Sequence, residues 1–373
     1  MIKILHTADL HLDSPFSSGI VDPKIRQQDL RDTFLNIVGL AITNEVQLVL
    51  IPGDLFDNEF VTNETQKFLA LAMQKAHNIQ FFITPGNHDY YSRTSIFASN
   101  EYPENVYIFK NSEIECVDIE KLNVSVYGFA CVSPNSERHY LKDFKVNNNE
   151  RINIMLFHGE LVNSNEQSTY YPLTKEEISF SGLDYIALGH IHKYSEILSE
   201  KDTCFAYPGC PEGRGFDELS DRGVILGLVG KKKHSLNFIP VNKRKYDIIT
   251  VDISGATEHS FIKEKTNEQL INKTKNDIVR IVLTGQVSSE LLINSSVLLD
   301  DFDNVFYLEI KDNTSIKEDI ESYLNENTLR GLFAKKIFEK MNNATEGEKP
   351  LYEKALKYGL ATLRGEEVAG YDN

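Results

Sequence analysis

Five short apolar runs in the first 190 residues each lead, within a few positions, into Asp, His or Asn, and this pattern narrows the choice of fold more than any other. Residues 2–5 lead to Asp9 and His11 in TADLHL, and residues 46–51 to Asp54 in IPGDLFD. Residues 80–83 lead to Asn87 and His88 in TPGNHDYY, residues 152–157 to His158 in LFHGE, and residues 185–188 to His190 and His192 in ALGHIH. Runs this short and apolar, ended by Gly, Pro, Asp or His, read as buried strands, and residues 124–129 add another. Between the early runs the apolar spacing changes to that of helices. Residues 22–44 put Ile25, Leu30, Phe34, Ile37, Val38, Ala41 and Ile42 near one face, and residues 62–77 do the same with Phe68, Leu69, Ala72 and Met73. The alternation predicts an α/β fold, a sandwich of two mixed sheets flanked by helices, with the later runs 204–207, 224–229 and 236–241 more antiparallel in character.

The texture changes near Tyr246. Runs at 248–253, 278–283 and 305–310, separated by helices expected near 268–275 and 289–299, predict a small βαβαβ domain over 246–312. Residues 313–373 then read as helices only. Ser315 to Glu318 is a capping box; Leu329, Leu332, Phe333, Ile337 and Met341 stripe one helix, and Leu351, Leu356, Leu360 and Leu363 another. Such stripes pack on their own protein or on a partner.

The chain has 373 residues with 41% hydrophobic and 25% charged content, ample for a large core, and residues 1–245 form the first expected domain. Its net charge of −16 argues against coating nucleic acid by electrostatics alone. Two basic clusters, Lys231 to Lys233 and Lys243 to Lys245, read as solvated turns or phosphate contacts. Cys116, Cys131, Cys204 and Cys210 make no CxxC pair, so reduced thiols are expected. The start, MIKILHTADLHL, lacks the apolar run of a signal peptide, and no segment approaches a membrane span, so a cytoplasmic protein off the membrane is expected.

Carboxylate, amide oxygen and imidazole, without thiolate, suit two divalent ions, manganese first and iron or zinc as alternatives. Asp54 lies between the two halves of the set and can bridge them, and a two-metal site activates water and offsets charge on a phosphate. Phosphoester hydrolysis is the indicated chemistry. The residues leave His88 as a ligand, a proton carrier or part of a turn. Taken singly, any one of these strand-end histidines reads as structural more readily than as a ligand.

DLH, GDLFD, GNHD, HGE and GHIH, in that order, resemble the motifs of calcineurin-like metallophosphoesterases. HTADLHLDSPF, the YPGCPEGRGFDE run at 207–218 and the small second domain resemble the SbcD-type DNA repair nucleases more narrowly, over most of residues 1–310. The resemblance implies one metal on Asp9, His11, Asp54 and His192 and another on Asp54, Asn87, His158 and His190. His88 matches the catalytic histidine that protonates the leaving 3′ oxygen. Asp57 and Asp89 would orient ligands or cap loops, and Arg214 would touch substrate phosphate or simply shape its turn. Asp13 and Cys210 stand where many SbcD sequences have Gly and Ser, which marks a divergent branch. The implied activity is DNA exonuclease and endonuclease cleavage in repair, with DNA and an SbcC-like coiled-coil ATPase as partners and a possible homodimer. The alternatives are a phosphodiesterase or phosphatase for another substrate, and a non-catalytic scaffold.

Overall fold

The structure is a computed structural model that describes all residues except 17–20, 58–60, 99–101, 289–290, 292, 295–297, 299–303, 317–322, 324, 364 and 366–373. The chain divides into two compact units, Met1–Lys245 and Tyr246–Asn373.

In the first unit the strands and helices follow as β1 (Ile2–His6), α1 (Pro23–Thr43), β2 (Leu48–Pro52), α2 (Asn63–Lys75), β3 (Gln80–Thr84) and β4 (Val106–Ile108). Then come β5 (Glu115–Ile119), β6 (Val124–Gly128), β7 (Ile152–His158), β8 (Leu161–Val162), β9 (Leu173–Thr174), α3 (Lys175–Phe180) and β10 (Tyr185–Gly189). The unit closes with β11 (Leu198–Glu200), β12 (Thr203–Ala206) and the hairpin β13 (Gly223–Gly230) and β14 (Lys233–Pro240). Two six-stranded mixed sheets result, ordered β14-β13-β1-β2-β3-β4 and β11-β12-β10-β7-β6-β5. Strands β1, β2 and β3 run parallel, as do β6, β7, β10 and β12, while the hairpin pairs antiparallel.

Side-chain alternation explains the layering. Ile4, Leu50 and Phe82 of one sheet meet Ile154, Leu156 and Ala187 of the other in one apolar core. Leu5, Val49, Ile51, Phe81 and Ile83 point the opposite way and pack with Phe34, Ile37, Leu69 and Met73 of the helices. A third cluster, with Tyr127, Met155, Phe157, Ile186 and Phe205, covers the far face of the second sheet. Both early helices start on capping side chains: Asp22 accepts from the Lys24 amide, and Thr62 from the Thr65 amide. Strands β4, β5, β8, β9 and β11 and helix α3 were not foreseen; β5 mixes polar and apolar residues in ECVDI, and the others are too short to show a period.

The second unit carries β15 (Lys245–Asp252), α4 (His259–Leu270), β16 (Asp277–Thr284), β17 (Gln286–Val287), β18 (Tyr307–Asp312) and β19 (Ser315–Ile316). Two helices follow, α5 (Leu329–Asn342) and α6 (Lys349–Leu363). Strands β15, β16 and β18 form a three-stranded sheet, β16 and β18 parallel, over a core of Val251, Ile262, Leu270, Ile281 and Ile310. Helix α4 lies earlier than the expected 268–275, because its buried face is Ile262, Thr266 and Leu270, a stripe that the central Thr conceals. The helix expected at 289–299 falls largely outside the described residues. Ser315 and Ile316 form β19, paired parallel with β17, and the rest of the expected helix start lies outside the described residues. The expected stripes on α5 and α6 split: Phe333, Ile337, Leu356 and Leu360 pack together, whereas Leu329, Leu332, Leu351 and Leu363 are exposed. Among the described residues, no helix is long and apolar enough to cross a membrane.

Candidate metal centre

Because β1, β2 and β3 are parallel neighbours in one sheet and β7 and β10 in the other, their carboxyl ends meet at one edge of the sandwich. Loops gather at such an edge, and side chains from five strands reach one point there. The convergence of Asp9 with His11 was expected from extended alternation. The backbone does it differently: Asp9, His11, Asp54 and His190 have φ of 53°, 46°, 49° and 104°. Left-handed non-glycine residues cost on the order of 1 kcal/mol or more each and concentrate at functional sites. Here they are held by the His11 amide on the Asp54 carbonyl at 3.0 Å and the His190 amide on Asp9 Oδ1 at 2.9 Å. Gly53 is obligatory twice over, since its φ is +86° and a Cβ there would lie 2.1 Å from His158 Nδ1.

One half of the site centres on His11 and His192. Asp9, His11, Asp54 and His192 each offer a ligand atom, all within 4.8 Å of one another. The two imidazoles face Nε2 to Nε2 at 3.1 Å. Behind them, His192 Nδ1 lies 2.7 Å from Glu218 Oε1 and His11 Nδ1 lies 3.1 Å from Asp57 Oδ1. A carboxylate only accepts, so His192 Nδ1 carries the hydrogen and its Nε2 turns its lone pair inward, and the 3.1 Å approach of Asp57 favours the same tautomer at His11.

The other half centres on Asn87. Its Oδ1 lies 2.8 Å from His158 Nε2 and 3.1 Å from His190 Nδ1. His158 Nδ1 donates to the Pro52 carbonyl at 3.0 Å, which again leaves Nε2 as the lone-pair nitrogen. The Tyr170 ring stacks on His190 with centroids 5.0 Å apart. Asp54 joins the halves: its Oδ2 is 3.8 Å from His11 Nε2 and 3.5 Å from His158 Nε2. Its other oxygen accepts the His88 amide at 3.0 Å.

Charge and donor chemistry both fit divalent cations. Burial pushes the Asp9 carboxyl up to about 6 against the pull of His192 and His158, with Asp54 adding repulsion. Burial acts on Asp54 in the same sense, but His158, His11 and His88 outweigh it and hold its carboxyl below the usual range. Burial drives His11 and His190 down to about 4, so both are neutral at neutral pH, as a metal ligand must be. Burial also lowers His192, but the Glu218 hydrogen bond and Asp9 more than offset it. Imidazole nitrogens that face one another at 3.1 Å beside two buried carboxylates are well placed to share a cation.

All seven ligand candidates, Asp9, His11, Asp54, Asn87, His158, His190 and His192, are therefore brought to this edge. His88 is adjacent yet exposed, its ring 5.0 Å from that of His11 and its Nδ1 3.3 Å from the Asp57 carbonyl. Asp89 caps the loop, accepting from the Gly86 and Phe56 amides at 2.6 and 3.1 Å. Asp13, left-handed at φ 63°, accepts from Thr65 Oγ1 at 2.8 Å and ties its loop to α2. Glu218 was missed by sequence reasoning, and Tyr170 and the Pro52 carbonyl left no signal. For Glu218 a signal existed: Arg214 and Glu218 stand four apart in the glycine-rich 207–218 run.

Residues 2–194 match the family model for calcineurin-like phosphoesterases. The chain belongs to that family. It is a metal-dependent phosphoesterase by that membership, and the candidate site at Asp9, His11, Asp54 and His192 agrees with the family's use of divalent metals. The chain is 30% identical over 314 residues to the uncharacterized metallophosphoesterase YhaO of Bacillus subtilis, covering 81% of this chain and 76% of that protein. It is 26% identical over 337 residues to the DNA double-strand break repair protein Mre11 of Sulfolobus acidocaldarius, 85% of each. To the protein of that name from Saccharolobus solfataricus it is 24% identical over 337 residues, 87% of this chain and 86% of that one. This metallophosphoesterase therefore sits among Mre11-type relatives as a divergent branch.

Proposed function

We propose that the protein is a two-metal DNA nuclease that hydrolyses phosphodiesters at duplex ends or hairpins during DNA repair. The observation that carries this reading is Asp54, whose one oxygen stands between the two sets of inward-facing nitrogens. In this reading Asp9, His11, Asp54 and His192 hold one cation, and Asp54, Asn87, His158 and His190 hold the other, with manganese preferred. The bound pair supplies an activated water and offsets charge on the phosphate. His88, exposed beside the site, delivers a proton to the leaving 3′ oxygen, with Asp57 positioning its ring. Residues 246–312 act as a capping domain that positions duplex. An SbcC-like ATPase docks on residues 313–373, where Leu329, Leu332 and Leu351 are 70%, 53% and 68% exposed. A cytoplasmic enzyme, with homodimers as a further possibility of the same lineage, completes the reading.

One observation favours a phosphodiesterase acting on a substrate other than DNA. Five of the six residues of the basic clusters, Lys231, Lys232, Lys243, Arg244 and Lys245, pair with Asp184, Asp202, Asp29 and Asp32, Asp29, and Asp221. Neutralised cations contribute little to phosphate binding. A panel of linear duplex, hairpin, single strand and a small chromogenic diester, each with Mn²⁺, Mg²⁺ and Zn²⁺, decides between them, with Asp54→Asn as the control. Cleavage of duplex ends or hairpins above the control supports the nuclease. Diester cleavage with every DNA untouched overturns it in favour of the second substrate class. Charged substitutions at Leu329 and Leu332 are expected to abolish ATPase binding while sparing the diester reaction.

A further inference from the structure

The inward-facing nitrogens of His11 and His192 depend on two carboxylates that come from different loops, Asp57 after β2 and Glu218 before β13. One guanidinium joins those carboxylates. Arg214 Nη1 donates to Asp57 Oδ1 at 3.0 Å, Nη2 donates to Glu218 Oε1 at 3.2 Å, and its backbone amide donates to Glu218 Oε2 at 2.7 Å. Nη2 also lies 3.1 Å from His192 Nδ1. Both of those nitrogens carry hydrogens, and both have Glu218 Oε1 as their acceptor. The result is a closed arc: His11, Asp57, Arg214, Glu218, His192, and back across the 3.1 Å gap between the two Nε2 atoms.

A planar fork of donors spans two acceptors at fixed separation, which an ammonium cannot do. Its charge also matters. Asp9 and Asp54 already place two buried carboxylates at the site, and Arg214 offsets one of the two further carboxylates behind the imidazoles. The loop that carries Arg214 is itself anchored: Glu212 accepts from the Lys243 and Arg244 amides at 2.6 and 3.0 Å and from Arg26 Nη2 at 3.1 Å.

We propose that Arg214 is a positioning residue, which clamps Asp57 and Glu218 together and thereby holds His11 and His192 as a paired ligand for one cation. It does this without touching substrate. The inference rests on the metal reading given above and adds to it the residue that sets the affinity of one half of the site.

The test is calorimetric titration of the full chain with Mn²⁺, for the wild type, Arg214→Lys, Arg214→Gln and Glu218→Gln. Loss of an outer hydrogen-bonding partner typically weakens a metal site by about 10–100-fold. One of two binding events is expected to weaken by that factor in all three variants, with the other event unchanged. The double variant Arg214→Gln with Glu218→Gln is expected to be no worse than the single ones, since they break the same arc. Imidazole ¹⁵N spectra supply a readout that a merely structural role would not move: His11 and His192 should leave the pure Nδ1–H tautomer in Arg214→Lys while His158 keeps it. Unchanged affinities and tautomers, with a raised KM on the chromogenic diester, would make Arg214 a substrate contact and overturn the proposal. A wild type that binds no Mn²⁺ would instead defeat the underlying metal reading, so the two failures are distinct.

Discussion

The two halves of the site each gather two imidazoles around the shared Asp54 but brace them in opposite ways. His11 and His192 lean on ionised side chains, Asp57 and Glu218, which Arg214 joins. His158 leans on a backbone carbonyl, that of Pro52 at the end of β2. A backbone acceptor inside a sheet cannot be removed by substitution, and it moves only if the strand moves. A side-chain acceptor can be tuned one residue at a time. The first half is therefore the adjustable one, and the second is as rigid as the sandwich that carries it.

The comparison can be broken most severely at the residue the halves share. Asp54→Asn is expected to weaken both cation sites and to abolish hydrolysis, a loss of about 10³-fold or more. Two-site Mn²⁺ binding with normal turnover in that variant would show that Asp54 joins nothing. His88→Ala is expected to keep both cations and lose about 10²–10⁴-fold in turnover, which calorimetry and kinetics on one preparation would check together. Loss of a cation instead would return His88 to the ligand set.

The rigid half should fail as a fold defect. In Gly53→Ala the new Cβ would lie 2.1 Å from His158 Nδ1 on a backbone at φ +86°, so a destabilisation of about 2–4 kcal/mol is expected in urea unfolding. A stable variant that merely binds metal more weakly would contradict the contrast with the Arg214 half. His6 provides the smallest effect and a control outside both halves. Its ring is buried between the Tyr185 hydroxyl and the Leu188 carbonyl, and burial lowers it to about 3 in spite of the Leu188 hydrogen bond. The unfolded chain takes up a proton on His6 below its ordinary value of about 6.5, whereas the folded chain waits until about 3, so this residue costs stability as the pH falls between them. From about pH 7.5 to about pH 5.5, His6→Gln should lose about 1 kcal/mol less than the wild type. Parallel unfolding curves would dismiss His6 as a proton-linked group.

Much of the site was legible because ligands at strand ends must follow apolar runs directly, and such runs are visible in a linear chain. Asn87 and His88 illustrate the limit. Adjacent in sequence, they differ in space: Asn87 Oδ1 turns toward His158 and His190, and His88 stands exposed. The Pro-Gly turn before them permits that divergence, but only the packed loop, tied by Asp89 to the Gly86 and Phe56 amides, selects it. Helix α4 was misplaced for a local reason, since a Thr in the middle of its buried face broke the apolar stripe.

The sequence by itself determined which residues could meet at one edge, because strand length, capping side chains and apolar alternation are short-range properties of neighbouring residues. It pointed to the chemistry too, since carboxylate, amide and imidazole without thiolate suit divalent cations. Only the tertiary structure decided which partner each nitrogen has. Asp57 and Glu218 are remote in the chain, and they brace one pair of imidazoles through Arg214 because the folded loops place both carboxylates within reach of one guanidinium. Left-handed backbone at Asp9, His11, Asp54 and His190 belongs to the same class. Such conformations are unfavourable locally, so no local pattern announces them, and they persist because the surrounding hydrogen bonds and packing hold them in place.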